Sequence, residues 1–234
     1  LQQKIEKVAS LHHMSADTLS QEKCYLGTTP KAPKIAFIFT GQGSQYKAMG
    51  RELYQSYTVF REAMDECDQL LKGYAEHSIL DLLYHSAGDH GEQIHQTGNA
   101  QPALFSIGYS LAQLYLSWGI GPSVVMGHSL GELIAACIAG VMTLEDAILL
   151  VAERARLMQS LPLNQGAMAS VFISASGLKE QLTNYPMLAI AAENSAKHTV
   201  VSGDGKQLES LLKDLENKGV RTVKLATSHG FHSP

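Results

Sequence analysis

The chain has 234 residues and a formal net charge of −4. Apolar residues make up 45% of it and charged residues 17%, which excludes a disordered chain, and the mild negative balance argues against a general nucleic-acid binder. No apolar run approaches the ~20 residues of a membrane span, so neither nucleic acid nor a membrane is an expected partner. The length suits one large domain, or one domain plus a smaller one.

In chain order, Leu1-Gln2-Gln3-Lys4-Ile5-Glu6 is not a signal peptide and lacks an initiator Met. The chain therefore reads as an excerpt from a longer polypeptide. Cys24, Cys67 and Cys137 form no C-x-x-C pair, which fits a reducing, cytoplasmic setting. Residues 1–33 are polar and broken, and end in Pro30-Lys31-Ala32-Pro33, an extended connector. Lys34 to Thr40 follows as a strand covered on both faces. Val59 to Leu71 and Ala103 to Trp118 carry apolar residues at helical spacing. After the break at Gly121-Pro122, Ser123 to Gly127 reads as a second buried strand and Leu130 to Ala139 as a helix stopped by Gly140. Thr143, with Asp146 three residues on, opens a helix to about Leu161. Strands alternating with helices imply a mostly parallel sheet over residues 34–165.

The second half changes character. Met168 to Ile173, Leu188 to Ala192, Thr199 to Ser202 and Thr222 to Leu225 read as strands. Leu178 to Leu182 and Lys206 to Lys218 read as helices. The order is βαββαβ, a ferredoxin-like arrangement over residues 166–226, and residues 227–234 return to the first unit. The expected fold class is thus α/β, a large parallel-sheet unit with an inserted ferredoxin-like subdomain.

The sharpest chemical feature is Gly127-His128-Ser129-Leu130-Gly131-Glu132. It follows an expected strand and opens an expected helix, the context a nucleophile elbow needs. The glycines permit a sharp turn that lifts the Ser129 hydroxyl above the sheet edge. The N–H of Leu130, at the helix start, is free to donate to an oxyanion. A serine needs a base. His128 adjoins the nucleophile, and the turn directs it elsewhere. His85, His90 and His95 recur every five residues, which suits neither a helix face nor a compact metal motif, and His12, His13 and His77 read as solvated. By spacing alone, His229 or His232 could be the base. Gly41-Gln42-Gly43-Ser44-Gln45 follows the first strand and could cradle an anion, with an amide of Gln42 donating to an oxyanion. It lacks the lysine of a phosphate loop. Arg154 lies in an apolar-flanked helical stretch, where its planar fork could pair a carboxylate; an exposed salt bridge is the plainer reading of Arg154 and of Arg156.

Together these segments resemble the malonyl-CoA:acyl carrier protein transacylase family, including the acyltransferase domains of modular polyketide synthases. The match runs from about Lys34 to Pro234. It includes the Gly41 to Gln45 loop, Thr97-Gly98-Asn99-Ala100-Gln101-Pro102-Ala103, Gly127 to Glu132, Arg154 to Gln159, and Gly230-Phe231-His232-Ser233. Residues 1–33, with Tyr25-Leu26-Gly27 and the proline pair, look like the end of a ketosynthase-to-acyltransferase linker. The fold implied is a large α/β hydrolase-like domain carrying an inserted ferredoxin-like subdomain.

The resemblance implies Ser129 as nucleophile and His232 as base. Gln42 and the Leu130 N–H would form the oxyanion hole, Arg154 would hold the free carboxylate of the extender unit, and Gln101 would line the pocket. Malonyl-CoA would be the acyl donor and the phosphopantetheine thiol of an acyl carrier protein the acceptor, with an adjoining ketosynthase in the same polypeptide. No metal or redox cofactor is implied. His229-Gly230-Phe231-His232 resembles the malonyl-selective signature, with Gly in place of Ala. Phe231 would fill the space of a 2-methyl branch, and Leu130, rather than Gln, also leans malonyl. A pocket discriminates one methyl by only ~1–3 kcal/mol. The family pattern continues past Pro234 in a segment that would orient the histidine, so the activity is expected of the parent domain rather than of these residues alone. Two other functions fit the same residues: an editing thioesterase, against which Arg154 argues, and a non-catalytic docking module, against which the Ser129, His232 and Gln42 set argues.

Overall fold

A computed structural model describes residues 33–85, 93–162, 165–225, 227 and 229–233. Residues 1–32 of the expected linker, and with them Cys24, His12 and His13, lie outside the described residues, as does His90. Two sheets organise the chain, each with its own apolar core.

In the larger lobe, β1 (Ala36–Phe39) pairs in parallel with β2 (Val124–Gly127), with Phe39 opposite Gly127. Around them lie α1 (Arg51–Ser56), α2 (Thr58–Leu71), α3 (Thr97–Ser117), α4 (Leu130–Ile138) and α5 (Leu144–Gln159). Helix α2 buries Phe60, Ala63, Met64, Cys67 and Leu71, the stripe its spacing predicts. Helix α3 is buried on nearly every side over its first three turns, so it forms the axis of the lobe. Helix α5 starts where the sequence places it: the Asp146 N–H donates to Thr143 Oγ1 at 3.1 Å, satisfying one of the open amides at the helix start.

The two strands are not covered on both faces as expected. Phe39 and the partly buried Phe37 and Val125 pack into the helical core. Ile38, Val124 and Met126 point the other way and are 71%, 56% and 56% exposed. Side chains alternate across a strand, and among the described residues the helices pack on one face only. Two short elements also escape the periodicity: α1, and a π-helical turn at Asp81–His85. They are held by tertiary bonds instead, with Arg51 Nη2 donating to the Tyr84 carbonyl at 2.7 Å and the Ala48 N–H to the Leu83 carbonyl at 3.0 Å.

The smaller lobe runs β3 (Gly166–Val171), α6 (Ala175–Leu182), β4 (Leu188–Ser195), β5 (His198–Asp204), α7 (Gly205–Asn217) and β6 (Thr222–Lys224). The sheet order is β4-β5-β3-β6 and every pairing is antiparallel. This is the ferredoxin-like βαββαβ pattern. Helix α6 begins three residues before the expected Leu178, because the Gly177 N–H donates to Ser174 Oγ. Leu178, Leu208, Leu211 and Leu215 cover Ala169, Val171 and Val201. No helix among the described residues is long and apolar enough to cross a membrane.

Candidate active site

The corner between β2 and α4 is built on two close approaches. A Cβ on Gly127 would stand 2.0 Å from the carbonyl carbon of Gly131, and one on Gly131 would stand 2.2 Å from the Phe39 carbonyl oxygen. Only glycine lets both strands and the helix come this near. The turn forces Ser129 to φ 53°, ψ −112°, a conformation costing on the order of 1–3 kcal/mol in a non-glycine residue. It is held by the His128 N–H on the Phe39 carbonyl, at 3.0 Å, and the Gly131 N–H on the His128 carbonyl, at 2.9 Å. The Leu130 N–H is the first of α4, one of the group that helical geometry leaves without an intrahelical acceptor.

The imidazole that faces Ser129 comes from the segment after β6. After β6 the chain passes tightly over the start of β3 and the end of β5. A Cβ on Gly166 would lie 2.5 Å from the Gly230 nitrogen, and one on Gly230 would lie 3.0 Å from the Gly203 carbonyl. Ser233 Oγ donates to the Gly230 carbonyl at 2.7 Å and closes a turn around His232, whose φ is 60°. His232 Nε2 stands 2.8 Å from Ser129 Oγ, 103 positions away in sequence. Among the described residues, Ser129 is the one side chain that His232 hydrogen-bonds, so the geometry is a Ser–His dyad. His229 is elsewhere: it is buried, donates from Nε2 to the Leu161 carbonyl at 3.1 Å, and packs its ring 5.7 Å from that of Phe231.

The Gly41 to Ser44 loop lies against the elbow, since a Cβ on Gly41 would be 2.9 Å from the His128 carbonyl. This brings Gln42 into the same cavity as Ser129, a space of about 350 Å³ between the lobes, whose walls include Met168, Val200 and Phe231. A second opening of about 510 Å³ reaches Ser129 and His232 past Glu132, Leu150 and Asn194. Asn194 and its neighbours on β4 carry no sequence signal that would have found them. His95 sits at the rim of the first cavity, with Nδ1 3.4 Å from Gln45 Nε2. His85 instead faces Asp81 at 3.2 Å.

Arg154 and Arg156 divide sharply. Arg156 is exposed and holds Glu153 through two bonds, at 2.8 and 2.6 Å. Arg154 turns inward from α5, donating from Nη2 to Ser129 Oγ at 3.3 Å and from Nη1 to Gln101 Oε1. Among the described residues no carboxylate pairs it, and burial pulls its pKa below the ordinary arginine value. Gln101 is fully buried and also donates from Nε2 to Thr97 Oγ1 at 2.8 Å. The His232 pKa is likewise held below the usual imidazole value, first by burial, then by the Arg154 and His128 charges, with Glu132 pulling the other way. Lowering keeps the imidazole neutral and able to accept a proton.

A hydroxyl on a strained elbow, an imidazole held toward its neutral form, an amide donor at a helix start and, among the described residues, a guanidinium with no carboxylate partner together suit nucleophilic chemistry on an acyl group. The acyl transferase domain family profile matches residues 36–234. The chain is 40% identical over 228 residues to the mycoketide-CoA synthase of Mycobacterium tuberculosis, covering 97% of this chain and 5% of that protein. It is 35% identical over 231 residues to the erythronolide synthase EryA2 of Saccharopolyspora erythraea, covering 98% and 6%. The chain thus spans a small part of the length of the curated relatives it matches. The acyltransferase domain from module 8 of the salinomycin polyketide synthase superposes with a TM-score of 0.79 at 36% identity, covering 85% of this chain and 47% of that one. FabD from Acinetobacter baumannii gives 0.75 at 28%, covering 83% and 62%. The chain belongs to the acyl transferase domain family, and its relatives include polyketide synthases.

Proposed function

We propose that this site moves a malonyl group from coenzyme A to the phosphopantetheine thiol of an acyl carrier protein, through an ester on Ser129. Ser129 Oγ gives its proton to His232 Nε2 as it forms a bond to the thioester carbonyl carbon. The Leu130 N–H and Gln42 stabilise the tetrahedral oxyanion. Collapse breaks the C–S bond, and the His232 imidazolium returns the proton to the departing thiolate. The carrier thiol then attacks the acyl-serine ester, with His232 as base and then as acid. This chemistry calls on no metal or redox cofactor.

The observation that carries the reading is Arg154, a desolvated guanidinium beside the nucleophile with no carboxylate partner among the described residues. Such a cation calls for an anionic ligand, and a dicarboxylic acyl group supplies one at the right distance from the reacting carbon. Phe231 in the cavity wall, braced by His229, supports malonyl over its 2-methyl homologue. The relatives' description as polyketide synthases supports a carrier protein and a ketosynthase as partners, and the reading takes them to work in the cytoplasm.

The test compares malonyl-CoA with acetyl-CoA on the wild type and on Arg154→Ala, reading the acyl-enzyme and the acylated carrier protein. Arg154→Ala should erase the preference for malonyl. Unchanged selectivity, or release of free acid in place of transfer to the carrier thiol, would contradict the assignment.

A further inference from the structure

Two side chains, Gln101 and Thr97, join Arg154 to Gln42 across the floor of the site. Arg154 Nη1 bonds Gln101 Oε1, Gln101 Nε2 bonds Thr97 Oγ1 at 2.8 Å, and Thr97 Oγ1 bonds Gln42 Oε1 at 3.1 Å. The sense of this chain is set at one end. A guanidinium has donors and no acceptor, so Gln101 must turn its carbonyl oxygen to Arg154 and its NH2 to Thr97. The Thr97 hydroxyl then accepts from Gln101, and its single proton is left for Gln42 Oε1. Gln42 consequently has its carbonyl engaged and its NH2 left for the cavity it lines.

We propose that Thr97 is a positioning residue that fixes the amide of Gln42 with its NH2 toward the developing oxyanion. Without that hydroxyl, the amide could turn over and present its carbonyl oxygen to a negative charge, which is repulsive. The middle of the relay is dry, with Thr97 2% exposed and Gln101 fully buried, so the bond between them is stronger than in water and costly to break. Thr97 and Gln101 lie one turn apart at the start of α3, a rigid element, so the carboxylate clamp and the oxyanion donor are held by one helix terminus.

The inference rests on the proposed acylation of Ser129, and the test separates the two. In the full-length protein, Thr97→Val should lower kcat for acyl-enzyme formation about tenfold with KM little changed, the size expected for losing one orienting hydrogen bond. Thr97→Ser, which keeps the hydroxyl, should restore most of the rate. In a Gln42→Ala background, Thr97→Val should add almost nothing. A Thr97→Val rate equal to wild type, an equal loss in both backgrounds, or a Thr97→Ser as slow as Thr97→Val would overturn the relay while leaving the acyl-serine intact. A wild type that forms no ester on Ser129 would remove both.

Discussion

The two halves of the site are held in different ways. The nucleophile side is knitted within the larger lobe: Ser129, Arg154, Gln101, Thr97 and Gln42 are joined by consecutive hydrogen bonds. The base side is a short return segment lying on the smaller lobe, where Gly230 rests against Gly166 and Gly203. Among the described residues, two bonds tie this segment to the larger lobe: His232 Nε2 to Ser129 Oγ and His229 Nε2 to the Leu161 carbonyl. The proposed oxyanion and carboxylate contacts therefore belong to one lobe, whereas the proposed proton transfer depends on how the second lobe is seated.

Separate perturbation of the base side should leave substrate binding alone. The largest effect is expected from His232→Ala, which should slow acylation of Ser129 by about 10²–10⁴-fold with little change in the KM for malonyl-CoA; a rise in KM without loss of kcat would break the division. Next comes Gly166→Ala. Its methyl must displace Gly230, and a base misplaced by about 1 Å can cost up to ~10²-fold. Gly205→Ala, on the same lobe with 3.6 Å to its nearest neighbour, should be silent. If both behave alike in single-turnover kinetics, the return segment is not what seats the base.

A smaller effect crosses between the halves. Arg154 is a cation that, after burial, holds the His232 pKa down. Removing that charge in Arg154→Gln makes the imidazolium easier to form, so the pKa rises and less neutral base is present at mildly acidic pH. The acid limb of the kcat/KM profile should move to higher pH than in the wild type. A limb that stays put, or moves down, would mean that the two halves are electrostatically independent.

The elbow was legible because its constraints are local. Gly127 and Gly131 flank Ser129 at fixed spacing between a strand and a helix, and the close contacts follow from that turn. The order of the βαββαβ lobe was legible from its apolar runs and helical spacing, although the Ser174 cap that starts α6 early went unread. The choice between His229 and His232 was not open to spacing, because it depends on which way a glycine-seated segment turns: one imidazole goes to the Leu161 carbonyl and the other to Ser129. Nor could the sequence distinguish inward Arg154 from outward Arg156. They sit two residues apart on one helix, about 200° around its axis, and which side faces the core is a tertiary fact. Thr97 lies in a motif that the family resemblance brought out, yet its role needs the rotation of three amide and hydroxyl groups. The open face of Ile38, Val124 and Met126 misled for the opposite reason. A continuous apolar run reads as a doubly covered strand whether or not the covering elements are among the described residues.

The central claim is that a malonyl ester forms on Ser129 with His232 taking the proton. Peptide-mapping mass spectrometry after brief exposure of the full-length protein to malonyl-CoA tests it most directly. The account predicts a malonyl adduct on the peptide spanning Gly127 to Glu132, lost in Ser129→Ala and slow to form in His232→Ala. An adduct on another residue, or one that forms at the wild-type rate without His232, would contradict it.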